Sequence, residues 1–350
     1  MKKYISMLLC AVMALSLLGG CTSKNGGSSS SVSGSTSAGS TSSVDDSTPA
    51  TSDLPKLMVL SGPTGVGAAK LVSDAQQAGQ SVLSSFDVVT DNQEISSALV
   101  NGDADIAAIA TNAAANLYAK TDGGIQVLAV NTLGVLYILE KGDSVQSMAD
   151  LAGKTLYAPS NTRGGNPEHI LNYLLEQSGV APSDVDIQWL TPQEITAKLT
   201  SSDAGICMLP VPAATALMVQ DGEVRQALSL SEEWEALGEG TLPMGCIVAR
   251  SQYIAEHPQA VETFLNAYSQ SIDYMSNPDN LNEAAELVAQ LGITPNAKVA
   301  VGAIPQCNLT FLTGRDMQTV LEDYYTILFQ AAPESIGGSL PYDNFYYGLG

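Results

Sequence analysis

Apolar and polar positions change period repeatedly along the chain, and each change marks an element. Leu57-Met58-Val59-Leu60 is a short apolar run ended by Ser61-Gly62-Pro63-Thr64-Gly65, after which Val66 to Gln77 has helical spacing. This predicts strand, loop and helix. Ser85 to Thr90 predicts a second strand, and Asp91 to Val100 a helix with Ile95, Leu99 and Val100 on its inner face and Asp91 as its cap. Asp105 to Ala110 reads as a buried strand, and Thr111-Asn112 opens another helix. Strand and helix in alternation predict parallel strands covered by helices.

Ile125 to Val130 and Val135 to Glu140 flank Asn131-Thr132-Leu133-Gly134, which predicts two strands leaving a first lobe through a short connection. The pattern then restarts. Ser147 to Leu151 is a helical turn, Lys154 to Ala158 a strand, and Pro167 to Gln177 a helix with Ile170, Leu171, Leu174 and Leu175 as its inner stripe. Val185 to Leu190, Pro192 to Leu199 and Gly205 to Leu209 follow as strand, helix and strand. Met244 to Ala249 returns as a strand. Pro258 to Met275, Leu281 to Leu291 and Asp316 to Phe329 are helices expected to pack back on the first lobe. The expected division is lobe I over 54–140 plus 246–350 and lobe II over 141–245, with Gly142 and Gly245 as hinges at the two crossings.

The start of the chain has another pattern. Lys2 and Lys3 precede an apolar run from Ile5 to Leu18, shorter than the about 20 residues a membrane-spanning helix needs. Residues 1–20 therefore read as a signal peptide. The sequence Leu17-Leu18-Gly19-Gly20-Cys21 resembles the lipobox of bacterial lipoproteins. That resemblance implies that Cys21 is acylated, by palmitate or a similar chain, and anchors the protein on the extracytoplasmic side of the cell membrane. Residues 21–53, dominated by Ser, Gly and Thr, cannot bury enough apolar surface to offset ordering and read as a tether.

Formal charge is −22, from 36 acidic against 14 basic residues, with no Lys/Arg cluster after the leader. Nucleic acid is a poor partner for such a chain. Cys207, Cys246 and Cys307 are an odd number without the spacing of a metal or redox motif, although Cys207 and Cys246 could pair if the fold brought them together. His169 and His257 are the only histidines, and neither stands in a metal-like cluster. No nucleophile elbow, zinc-protease helix or phosphate-binding loop occurs. The expectation is a protein without cofactor, metal or catalytic residues.

Two stretches resemble the solute-binding proteins of bacterial ABC importers with the type II periplasmic-binding-protein architecture. One is Ser147 to Ala158, "SMADLAGKTLYA", followed by Arg163-Gly164-Gly165 and a helix. The other is Asp203-Ala204-Gly205-Ile206 leading to Pro210-Val211-Pro212, similar to the sulfonate, taurine, nitrate and thiamine-precursor branch, with Val211 where that branch often has Glu. The resemblance implies an α/β fold: a two-lobed clamp of mostly parallel sheets covered by helices, with two interlobe crossings. It also implies a monomer that captures a small solute between its lobes and hands it to an ABC permease. Two alternatives are a solute-sensing lipoprotein for a membrane receptor and an enzyme on the same fold.

In such sheets a ligand sits beyond the carboxyl ends of the strands, at helix N-termini. The loops at that end are Ser61 to Gly65, Ala110 to Asn112, Pro159 to Gly165 and Pro210 to Pro212. They nominate Gly62, Thr64, Gly65, Thr111, Asn112, Ser160, Thr162, Arg163, Gly164, Pro210 and Val211 as ligand contacts. Arg163 suits a carboxylate, sulfonate or phosphate through a bidentate contact. Tyr157, Trp189 and Trp234 are candidates for an apolar slot that would take an aromatic solute.

Overall fold

The computed structural model of the protein describes residues 53–77 and 82–349. The expected leader, Cys21 and the tether up to Ser52 lie outside the described residues. The first run of elements is β1 (Lys56–Leu60), α1 (Pro63–Val66), α2 (Ala69–Gln77), β2 (Ser85–Val89), α3 (Asn92–Asn101), β3 (Ile106–Ala110), α4 (Thr111–Lys120) and β4 (Ile125–Leu133). A second run comprises β5 (Leu136–Lys141), β6 (Thr155–Pro159), α5 (Asn166–Gln177), β7 (Asp186–Leu190), α6 (Pro192–Ser201), β8 (Gly205–Pro210), α7 (Ala213–Gln220), β9 (Val224–Ser229) and α8 (Leu230–Ala236). The chain then returns through β10 (Pro243–Arg250), α9 (Ser251–Glu256), α10 (Pro258–Ser276), α11 (Leu281–Gln290), α12 (Ala297–Ala303), β11 (Leu309–Leu312) and α13 (Gly314–Ala331).

These strands form two sheets, ordered β11-β4-β10-β3-β1-β2 and β7-β6-β8-β5-β9. Parallel pairing joins β1 to β2 and β3, and β6 to β7 and β8, where strand and helix alternate. The strands that enter from the other sheet, β10 and β5, run antiparallel to their neighbours. A helical crossover requires a parallel return, whereas a strand arriving from elsewhere is free of that constraint. The central strands are covered on both faces, so Leu57, Val59 and Ile106 to Ile109 are almost fully buried. One core cluster runs from Val127 and Val130 of the first sheet to Leu156 and Met208 of the second and to Trp234 of α8.

The sheet change falls earlier than the sequence suggests. Leu136 and Tyr137 already pair with Pro210 and Ser229, so β5 lies wholly in the second sheet and the chain passes over at Gly134-Val135. Asn131 and Thr132 read as a polar connection, yet both are fully buried within β4. The Asn131 amide donates to Thr64 O and to the Tyr268 hydroxyl, both at 2.8 Å, while Thr132 donates to Asn131 Oδ1. Internal partners replace the solvent that such residues usually seek. Gly142 therefore ends β5 at φ 135°, and Gly245 is an extended residue inside β10, paired with Ala110 and Thr132. Neither stands where the chain changes sheet.

Periodicity missed α7, because Ala213 to Gln220 is apolar almost all round, and also α8, β9, α12 and β11. The expected helix 66–77 forms only from Ala69 as α2, and the short α1 (Pro63–Val66) occupies the stretch expected as a loop. Val100, expected inside, is 61% exposed. Cys207 in β8 and Cys246 in β10 sit in different sheets as free buried thiols, and burial pushes Cys207 up to about 12. The C-terminal aromatics pack on the body: Phe345 is buried against Tyr118 and Tyr325, Tyr346 is buried edge-on to Phe345, and Tyr347 N donates to Val127 O at 2.9 Å.

Candidate functional site

A cleft of about 1850 Å³ opens where the carboxyl ends of parallel strands from both sheets face one another. Its walls are the loops after β1, β2 and β3 on one side and after β6, β7 and β8 on the other, with Val135 and Met244 also lining it. Gly62, Thr64, Asn112, Thr162, Arg163, Gly164, Pro210 and Val211 all line this cleft, so eight sequence-predicted residues from the two halves come together.

Three others do not line it. Thr111 is fully buried, and its hydroxyl donates to Pro243 O at 2.8 Å, holding α4 against β10. Gly65 is a packing glycine, because a Cβ there would lie 2.4 Å from Leu60 O. Ser160 is exposed in a 3-10 turn outside the cleft. Within the lining, Val211 is 1% exposed with its side chain in the core, leaving its backbone to the site.

The glycine-rich loops contribute less through their amides than their composition suggests. Gly62 N donates to Ile293 O, Gly164 N to the Glu168 carboxylate and Gly165 N to Thr162 O. Helix N-termini contribute more. The first-turn N–H groups of a helix have no acceptor within the helix, and they carry the positive end of its dipole. At the cleft, α3 is capped by Asp91, which accepts from Gln93 N at 2.8 Å as the sequence predicts. Likewise α6 is closed by the capping box of Thr191 and Glu194. By contrast α4, α5 and α7 start at Ala110, Gly165 and Pro212 with no side-chain cap, and each begins among cleft-lining residues. One of these helices lies beside the first sheet and two beside the second, so their uncapped ends converge from both sides.

Side chains add specific groups. The Arg163 side chain is exposed on the cleft wall without an ion pair or hydrogen bond among the described residues. His169, Lys120, Asp91 and Glu334 also line the cleft. Thr64 is 8% exposed and lines the cleft, and its hydroxyl has no hydrogen-bond partner among the described residues.

Sequence reasoning missed Asn166, the first residue of α5, which is 5% exposed and lines the cleft. A polar residue behind Gly164-Gly165 at a helix start reads as a cap, and the tyrosine that holds it lies far along the chain. No Phe, Tyr or Trp lines the cleft among the described residues. The candidate slot aromatics sit elsewhere: Trp234 is fully buried between Tyr173 and Tyr324, Tyr157 lies under Lys198, and Trp189 packs on the core. Among the described residues no group of three His, Cys, Asp or Glu residues is arranged to hold a metal, and no helix is long and apolar enough to cross a membrane.

Comparison with known structures agrees with the two-sheet architecture. An ABC transporter protein from Parabacteroides distasonis superposes with a TM-score of 0.68 at 20% identity, covering 84% of this chain and 98% of that one. The periplasmic aliphatic sulphonate binding protein from Escherichia coli gives 0.65 at 16% identity, covering 82% and 90%. At these identities the likeness establishes the fold, that of the two-lobed periplasmic binding proteins, as the sequence resemblance implies. A Brucella abortus (strain 2308) protein provisionally described as a binding protein is 24% identical over 164 residues, 47% of this chain and 49% of that protein. The chain thus spans about half the length of the curated relatives it matches. The pattern of the family described as "NMT1/THI5 like" matches residues 87–281, more than half of the chain and most of both sheets. The chain belongs to the NMT1/THI5-like family.

Proposed function

We propose that the protein captures a small solute bearing an anionic or acceptor-rich group in the cleft and delivers it to an ABC permease. The observation that carries this reading is the convergence of three uncapped helix N-termini, α4 from one side and α5 and α7 from the other, on one cleft that also holds Arg163. Such ends bind anions through free N–H groups and the helix dipole. A lining without Phe, Tyr or Trp among the described residues offers hydrogen bonds more than a stacking surface, which favours a sulfonate, carboxylate or oxyanion over a heterocycle.

Sheet membership supports lobes of 54–134 plus 243–350 and of 135–242, in place of the expected boundaries near 140 and 246. The hinge segments are then Gly134-Val135 and the stretch from Leu237 to Leu242. A cleft of about 1850 Å³ exceeds the about 300–1,000 Å³ of a closed small-molecule site, as an open clamp would. Ligand contacts to both lobes favour closure by the difference in affinity between open and closed forms. Acylation of Cys21 would keep the monomer at the outer face of the cell membrane, beside its permease.

Thermal unfolding of the full chain against sulfonates, inorganic oxyanions, amino acids, pyrimidines and flavins tests the proposal. A ligand at about 100 times its Kd stabilises the native state by about 2.7 kcal/mol, which raises Tm by about 4 °C in a body of this size. A rise for sulfonates, oxyanions or carboxylates supports the reading. A rise confined to pyrimidines or flavins refutes the choice of solute.

A further inference from the structure

Helix α13 carries adjacent tyrosines that reach the starts of two cleft-facing helices. The Tyr325 hydroxyl donates to Thr111 O of α4 at 2.8 Å, and the Tyr324 hydroxyl donates to Asn166 Oδ1 of α5. Both tyrosines are buried, and burial raises the Tyr324 phenol far above its ordinary range, so it stays a protonated donor. The expected packing of this helix on the first lobe is thus only half of what it does. Tyr324 also meets Trp234 of α8, with ring centroids 6.0 Å apart.

The consequence lies in the Asn166 amide. An asparagine can present either its carbonyl or its NH₂ to a ligand, and a free amide is able to turn. Here Tyr324 occupies the carbonyl, so the NH₂ is left for the cleft. Among the described residues that NH₂ has one partner, the Met244 thioether at 3.6 Å, a weak acceptor for a side chain that is 5% exposed. A buried donor so poorly matched gains from an oxygen acceptor. Thr64 lines the cleft beside the first sheet.

The geometry points to Asn166 as a specificity-determining residue that donates its amide N–H to an acceptor oxygen of the solute, and to Tyr324 as the positioning residue that fixes this direction. The inference rests on the cleft being the solute site. It adds that α5 favours an acceptor over a donor group, such as an ammonium, at this point, because the Asn166 carbonyl is turned to Tyr324 while its NH₂ has only a thioether as partner.

The test is a sulfate and methanesulfonate titration of the full chain with ¹⁵N-labelled Asn and Arg, following the Asn166 side-chain NH₂ and the Arg163 Nε–H by NMR. Asn166→Asp and Arg163→Ala assign the two signals. The expected result is that the Asn166 signal shifts with the anion and that Tyr324→Phe weakens binding about five- to tenfold. In Tyr324→Phe the Asn166 response should shrink while the Arg163 response persists. A merely structural role for Tyr324 would scale both responses together, and that result would overturn its positioning role. If Arg163 shifts and Asn166 does not, the cleft takes the anion without Asn166, and this inference fails alone. If neither shifts, the anion reading of the cleft fails and takes this inference with it. Asn166→Asp keeps the side-chain shape and acceptor but replaces the NH₂ by a carboxylate oxygen. Binding that survives it unchanged also overturns the inference.

Discussion

Arg163→Ala separates binding from folding, and the structure sets both magnitudes. The guanidinium is exposed and makes no ion pair or hydrogen bond among the described residues, so its removal should change stability by no more than about 0.5 kcal/mol. Without ligand, Tm should therefore move by less than about 2 °C. A charge-assisted contact to an anion is worth about 1.5–3 kcal/mol, or about 10–150-fold in Kd. At a concentration about 100 times the wild-type Kd, the ligand stabilises wild type by about 2.7 kcal/mol. After a loss of about 100-fold in affinity, the same concentration leaves about 0.4 kcal/mol. The ligand-induced rise should thus fall from about 4 °C to less than about 1 °C. Calorimetric titration supplies Kd directly, and Arg163→Lys should fall between the two because it keeps the charge and loses the planar fork. An unchanged ligand-induced rise would remove Arg163 from the site. A drop of more than about 3 °C without ligand would show that the side chain holds structure instead.

Three further outcomes follow from other parts of the molecule. Glu140 is 2% exposed, and burial alone would raise its pKa, but bonds from the Ser144 hydroxyl and amide, the Val145 amide and Arg225 outweigh burial and lower it. A lowered folded value stabilises the native state fully above the unfolded value of about 4.3 and loses that contribution as pH falls through the folded value. Glu140→Gln should cost about 2–3 kcal/mol at neutral pH, a figure discounted because Arg225 is 33% exposed. The gap in Tm to wild type should narrow below about pH 4, and parallel Tm curves would refute the linkage. Gly65→Ala places a Cβ 2.4 Å from Leu60 O and should destabilise by about 1–3 kcal/mol, read by urea unfolding, with wild-type stability counting against a packing role. Cys21→Ser should release the protein from membranes while ligand binding persists, so retention of the variant in the membrane fraction would exclude a lipid anchor at that residue.

Local periodicity and capping were legible in the sequence because they depend on residues a few positions apart. Ile170, Leu171, Leu174 and Leu175 are all buried on one face of α5, and Asp91 caps α3, as the spacing alone predicts. The alternation of strands and helices likewise determined the fold class, and the loops after parallel strands located most of the cleft. Other features depend on partners distant in the chain. Asn131 and Thr132 looked like a turn until Thr64 and Tyr268 supplied buried hydrogen-bond partners, and that moved the crossing to Gly134-Val135. Thr111 and Gly65 share composition with their cleft-lining neighbours, yet Pro243 and Leu60 claim them for packing. Asn166 gained its place through Tyr324, 158 positions away. The sequence by itself determined which elements form and which ends of the strands face a ligand, since backbone geometry and burial period act locally. Only the tertiary structure decided which polar groups remain free at the cleft, because a donor is available to a solute when no distant residue of the chain has already taken it.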